Sequence, residues 1–158
     1  MEEFHLFYGG VFSQWYPCKF TINMIEYNCA EQYMMAMKAS MFDWSMLDEI
    51  MASTQPRHQK ELGRKIKNFN IELWNKYAKD IVFQGNLAKF GQNTNLRKLL
   101  KDTAPKTLVE ASPYDKIWGI GLDAKDPRAL SRNTWQGTNW LGETLTRVRD
   151  TLINHAED

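Results

Sequence analysis

The longest apolar pattern in this 158-residue chain runs from Ile71 to Phe90, and it does most to limit the fold class. Leu73, Trp74, Tyr77, Ile81, Val82 and Leu87 recur mainly at three- and four-residue spacings, the period of a helix with one buried face. A strand cannot use such a run, because strands usually hold about 5–6 residues. Gly85 lies inside the run and is expected to loosen it. Upstream, Tyr33, Met34, Met37 and Met41 repeat the helical spacing from Ala30 onward. Phe42 to Ala52 reads as a second short helix, and Pro56 suits the first turn of a third that carries Leu62 and Ile66. Downstream, Asn93 or Thr94 can cap a helix reaching Leu100, and Asn139 precedes the amphipathic run Leu141, Leu145, Val148, Leu152. Strand signals are short. They are Phe4 to Tyr8 ahead of Gly9-Gly10, a hairpin of Phe20–Ile22 and Ile25–Tyr27 about Asn23-Met24, and Thr107 to Val109. The expected class is α+β, mainly helical with a small β-sheet, in one domain over residues 1–158.

Composition narrows the function classes. With 43% hydrophobic and 25% charged residues the chain can bury a core without disulfides or metals. A formal charge of +1 argues against a dedicated nucleic-acid coat and leaves room only for a local basic patch. No apolar run approaches the ~18 residues of a membrane span, so no membrane partner is expected. The acidic N-terminus lacks a signal-peptide profile. Cys18 and Cys29 read as free thiols of a reducing compartment, which makes the expected location cytoplasmic. Phosphate-binding P-loops and G-x-G-x-x-G are absent. His5, His58 and His155 lie far apart, and no Cys/His spacing suits zinc, so metal-independent activity is expected.

Chemistry concentrates in a few stretches. In A-E-Q-Y-M-M-A-M-K, Glu31 and Lys38 stand seven residues apart, which on a helix brings both side chains to within ~20° of one direction. The neighbouring stripe Met34, Met37, Met41 is most simply core. Glu31 equally suits the first turn of a helix, where the dipole favours a carboxylate. Lys38 equally suits a solvated surface. In V-E-A-S-P-Y-D-K-I-W-G-I-G-L, Val109 to Leu122, a strand gives way to Asp115, Trp118, Gly119 and Gly121. A turn with a core tryptophan explains the glycines and Trp118 but leaves Asp115 without a task. The polar loop between Leu122 and Thr138 exceeds the ~12 residues beyond which loops are usually functional or disordered. Its Arg128, Arg132 and Trp135 offer hydrogen bonding and stacking, with a plain solvated loop as the alternative. Arg64 suits a phosphate, and Asn139 suits either ribose hydroxyls or a helix N-cap.

Taken together, F-S-Q-W-Y-P, A-E-Q-Y-M-M-A-M-K, V-E-A-S-P-Y-D-K-I-W-G-I-G-L and G-T-N-W-L-G-E-T-L-T-R-V-R resemble the NADAR, or YbiA-like, family. The blocks follow the family's order from Phe7 to Arg149. Gln14 departs from the pattern, since the family commonly has Asn after the Phe-Ser pair. The resemblance implies a mainly helical α+β fold and hydrolysis of N-glycosidic bonds, with no cofactor. It implies Glu31, Lys38 and Asp115 as catalytic residues. Phe12, Trp74, Trp118 and Gly119 join Arg64 and Asn139 as substrate contacts. Associated substrates are ribosylaminopyrimidine 5'-phosphates of early riboflavin synthesis and ADP-ribose attached to guanine in nucleic acid.

In both substrate groups ribose C1 is joined to an exocyclic amine. Such a ribosylamine can open to an imine, and Lys38 can then exchange with the base amine as a Schiff base, provided burial or a cationic neighbour lowers its pKa. Glu31 would move the protons. The alternative is direct attack by water on an oxocarbenium-like ribose, with either Asp115 or Glu31 as base and the other as acid. The Arg128, Arg132, Trp135 loop looks large enough for a pyrophosphate and an adenine, which favours ADP-ribosyl-guanine, with nucleic acid touched only locally. A binding module that holds ADP-ribose without cutting it is the non-enzymatic alternative.

Overall fold

Residues 14–93 hold four of the expected helices, but the second starts at Leu47 rather than Phe42, after a 3-10 turn at Trp44–Met46, and the third ends at Arg64, before Ile66. In the computed structural model, which describes residues 1–155, helix α1 spans Ala30–Phe42, α2 Leu47–Ala52, α3 Pro56–Arg64 and α4 Ile71–Gln92. Ahead of them strands β2 (Phe20–Ile22) and β3 (Ile25–Tyr27) form the expected antiparallel hairpin, with Phe20 opposite Tyr27. Asn23 and Met24 both take positive φ, the geometry of a tight two-residue turn. Phe20 stacks on Tyr27, and Tyr27 meets Tyr33 of α1 edge-on at 5.0 Å, so the hairpin is stapled to α1.

Helix α1 lies at the centre of this unit, packed by α2, α3 and α4. It is buried on nearly every side from Ala30 to Ala36, so the simple methionine stripe is corrected. Met34 and Met35 are the buried pair, whereas Met37 and Met41 are half-exposed. A helix enclosed by three others has no single inner face. Gly85 does not loosen α4, which runs unbroken through it. A Cβ there would come within 2.8 Å of the Tyr33 ring, so the glycine makes room for α1. Asn70 caps α4 by accepting from the Leu73 N–H. Beneath the start of α1, buried Gln59 donates to Asn28 and to the Ser53 carbonyl and accepts from the Cys29 thiol. Gln32 donates to the Ile50 and Ser53 carbonyls. Satisfied amides of this kind fix the register of the elements they join.

The second unit combines residues 1–13 with residues from Thr94 onward. Here β1 (Phe4–Phe7) pairs in parallel with β4 (Thr107–Glu110), Phe4 opposite Thr107 and Phe7 opposite Glu110. Helices α5 (Thr94–Lys101) and α6 (Trp140–Asn154) follow the predicted amphipathic runs, and α6 lies on β4 with Leu141, Leu145 and Val148 fully buried. Val109, Ala111, Ile120, Leu122 and Ala129 form a core closed by Phe4, Leu6 and Trp135. The α+β, mainly helical expectation holds, with two two-stranded sheets among the described residues. Among the described residues no helix is long and apolar enough to cross a membrane.

Candidate active site

Glu31 and Lys38 emerge from α1 as the seven-residue spacing predicts, and the surrounding helices decide their chemistry. Glu31 occupies the first helical turn and is only 7% exposed. Its N–H donates to the Gln14 carbonyl at 2.9 Å, which fixes the backbone where the helix begins. Lys38 is half-buried. Its ammonium donates to the Gly63 carbonyl at 3.0 Å and lies 4.5 Å from the centre of the Phe69 ring. Burial pushes the Lys38 amine below the ordinary lysine range; the Glu31 carboxylate opposes that shift and Arg64 adds to it. Burial and a cationic neighbour, either of which lowers a lysine pKa, both act on Lys38. Arg64 closes α3 on the exposed side. Trp74 is buried in α4 of the same unit, in keeping with a core role.

The other expected site residues belong to the second unit. Asp115 has a structural task that a simple turn did not reveal. Its Oδ1 accepts from the N–H groups of Ile117 and Trp118, at 2.9 and 2.8 Å, so it caps the turn that carries the indole. Trp118 is half-buried and meets Trp140 edge-on. Gly121 takes φ +70°, while a Cβ on Gly119 would press on the Glu110 and Asp115 carbonyls. Both glycines are thus required by the chain's own path. Phe12 is buried against His5 and Phe7. Asn139 neither caps α6 with its side chain nor faces solvent. Its Oδ1 accepts from Glu110 N–H and its Nδ2 donates to the Leu108 carbonyl, locking α6 to β4. Fully buried and engaged at both ends, its side chain has a structural role in the fold.

The long loop is largely exposed, and its guanidinium and indole groups bond to other groups of the protein. It contains two short 3-10 turns, Pro127–Leu130 and Arg132–Thr134. Arg128 forks onto Asp126 through Nε and Nη2. Arg132 forks onto Glu2 and also reaches Glu143, while the Trp135 indole donates to the Ala129 carbonyl. The guanidinium groups of Arg128 and Arg132 and the Trp135 indole thus each hold a partner within the protein, which gives the loop a structural role. Cys18 and Cys29 are free thiols. Among the described residues no three His, Cys, Asp or Glu side chains come together as a metal site requires.

One titratable group escaped sequence reasoning. Lys89 of α4 is fully buried, 4.9 Å from the Phe90 ring and 5.7 Å from that of Tyr16. Burial lowers its pKa from 10.5 to about 8, with Cys18 and Cys29 pulling it back up. Between those two values the unfolded chain binds the extra proton, so this group's contribution makes stability rise with pH. Cys29, pushed up by burial to about 11, acts in the opposite sense above its ordinary value of 9.0. Comparison with Lys89→Met isolates the lysine. Wild type should gain roughly 1 kcal/mol on the variant between about pH 7.5 and pH 9 in urea titrations. Parallel curves for the two proteins would show that Lys89 keeps an ordinary proton affinity.

The chain matches known proteins over nearly its whole length. The NADAR domain matches residues 6–153. N-glycosidase R617 of Acanthamoeba polyphaga mimivirus is 46% identical over 146 residues, covering 89% of this chain and 86% of that protein. Protein irg-1 of Caenorhabditis elegans is 39% identical over 175 residues, covering 99% of this chain and 82% of its own. Among solved structures, the NMR structure of the E. coli protein YbiA is similar with a TM-score of 0.81 at 26% identity, covering 100% of this chain and 90% of that one.

Proposed function

We propose, since the chain belongs to the NADAR family, that this N-glycosidase cuts the bond between ribose C1 and an exocyclic base amine, and that its substrate is ADP-ribose attached to guanine in nucleic acid. The observation that carries the reading is the Lys38 amine, half-buried and depressed in pKa, on one helical face with Glu31. An amine so placed has more of the neutral, nucleophilic form at a given pH than an ordinary lysine. The ribosylamine opens to an imine at C1, the ring oxygen leaving as a hydroxyl. Lys38 adds to C1, Glu31 supplies a proton to the departing guanine amine, and a lysine imine results. Water then adds to C1 with Glu31 as base, the lysine leaves, and the hydroxyl closes the ring on free ADP-ribose.

The substrate choice rests on charge. Arg57, Lys60, Arg64, Lys65 and Lys67 are all exposed within a stretch whose single acid is Glu61, and this stretch includes Gly63, the partner of Lys38. A rim of that strength suits a pyrophosphate and a nucleic-acid backbone better than one phosphomonoester. The test is turnover of ADP-ribosyl-guanosine, free and within an oligonucleotide, beside a ribosylaminopyrimidine 5'-phosphate, followed by chromatography for the released base. Faster release from the oligonucleotide is expected, with an advantage that shrinks as salt rises. Preference for the small phosphate would reverse the substrate assignment. Tight binding of ADP-ribose without release would make the chain a reader.

A further inference from the structure

Helix α1 begins without the usual side-chain cap, because Cys29 at its N-cap position makes no such hydrogen bond. The Glu31 N–H is satisfied instead by the Gln14 carbonyl. Gln14 is itself held from the side, since its Oε1 accepts from Asn86 Nδ2 at 2.8 Å. Asn86 Nδ2 also donates to Val82 carbonyl one turn back along α4, at 2.9 Å. Two hydrogen bonds through a single residue therefore connect Glu31 to the middle of α4. The span suits glutamine, whose side chain is one methylene longer than that of asparagine.

This arrangement is poor for stability. Asn86 is fully buried, and its Oδ1 finds no donor. A buried acceptor left unmade is costly, whereas an apolar pair of similar shape at such a place is close to neutral. A polar pair that lowers stability points to a task other than packing. We propose that Gln14 and Asn86 are positioning residues that hold the start of α1, and with it the Glu31 carboxylate, in the orientation needed to move protons at C1. This rests on Glu31 being the proton carrier proposed above.

The experiment compares Asn86→Leu, Gln14→Asn, Asn86→Gln and the double swap Q14N/N86Q, each by kcat, KM, pH–rate profile and melting temperature. Asn86→Leu removes the buried Oδ1 that has no donor but also takes the donor from Gln14 Oε1, so it should melt near the wild-type temperature. Its kcat should fall about tenfold with KM within about twofold, and the pH–rate limb that Glu31→Gln abolishes should be displaced. Each single length change should lower kcat, and the double swap, which restores the combined reach, should recover most of it. Wild-type kcat and pH profile in Asn86→Leu would overturn the proposal, as would losses that follow melting temperature and are not recovered by the swap. Glu31→Gln run alongside separates the two levels. If it is inactive while Asn86→Leu is unaffected, only the positioning role is lost; if it is fully active, Glu31 itself is misassigned and the pair with it.

Discussion

Lys38→Ala should reduce kcat by about 10²–10⁴-fold or more while the protein still melts cooperatively near the wild-type temperature. The two halves of that expectation have separate causes. The structural loss is one hydrogen bond to the Gly63 carbonyl and a cation–π contact with Phe69, at a half-exposed position. Each is worth about 1 kcal/mol or less there. Against it, the variant is relieved of an ammonium that burial makes less favourable. In the proposed mechanism the catalytic loss has no such compensation, because alanine provides no amine to take C1 from the base. The active amine is the neutral form, so wild-type rates should climb as pH rises through the lowered Lys38 pKa and level off above it. Borohydride added during turnover should leave a sugar-derived mass on Lys38 and on no other lysine. An inactive Lys38→Ala with no adduct in wild type would keep Lys38 in the site as a non-covalent cation. Near-wild-type turnover by Lys38→Ala would remove it altogether.

The particular residues show what spacing can and cannot reveal. Helix limits were legible because a period of three to four is written into the apolar residues: α4 was expected at Ile71 to Phe90 and runs Ile71–Gln92. The hairpin was legible from Asn23, a residue type that tolerates the positive φ a tight turn needs, whereas Met24 takes positive φ without any such preference. The common face of Glu31 and Lys38 followed from helical geometry alone. Partner choice was not legible. Arg132 reaches Glu2, 130 residues away in sequence, and Asn139 reaches the backbone of β4, neither of which any local pattern encodes. Gly85 looked like a weak point because its reason is the Tyr33 ring on another helix. Lys89 was overlooked because lysines on helices are nearly always solvated. Its one local hint was apolar company on both sides, Leu87 and Phe90, and that company also fits a surface lysine whose stem lies over apolar ground. Polar residues are thus the least predictable in role, since each depends on groups that only the folded chain brings near.

Under the proposed mechanism Glu31→Gln is the sharper of the two substitutions, because it removes the proton-exchanging carboxyl and keeps the side chain's length. Glutamine keeps the volume, and the Glu31 N–H can still donate to Gln14, so the start of α1 should hold its place. What disappears is a group able to give and take a proton, and turnover should fall about 10²–10⁴-fold. A second consequence follows from the field on Lys38. The Glu31 carboxylate holds the Lys38 pKa up against burial, so its removal should lower that pKa further and leave more neutral amine at a given pH. Attack at C1 is then favoured while both proton-dependent steps, release of the base and hydrolysis of the lysine imine, are slowed. The residual rate should rise at a lower pH than in wild type. If the base is released slowly but the imine is hydrolysed more slowly still, borohydride should capture more of the Lys38 adduct per turnover than in wild type. Direct attack by water predicts the opposite pattern, equal loss of rate and no adduct in either protein. Unchanged turnover in Glu31→Gln would leave the buried carboxylate as a helix-start residue and move the proton chemistry elsewhere.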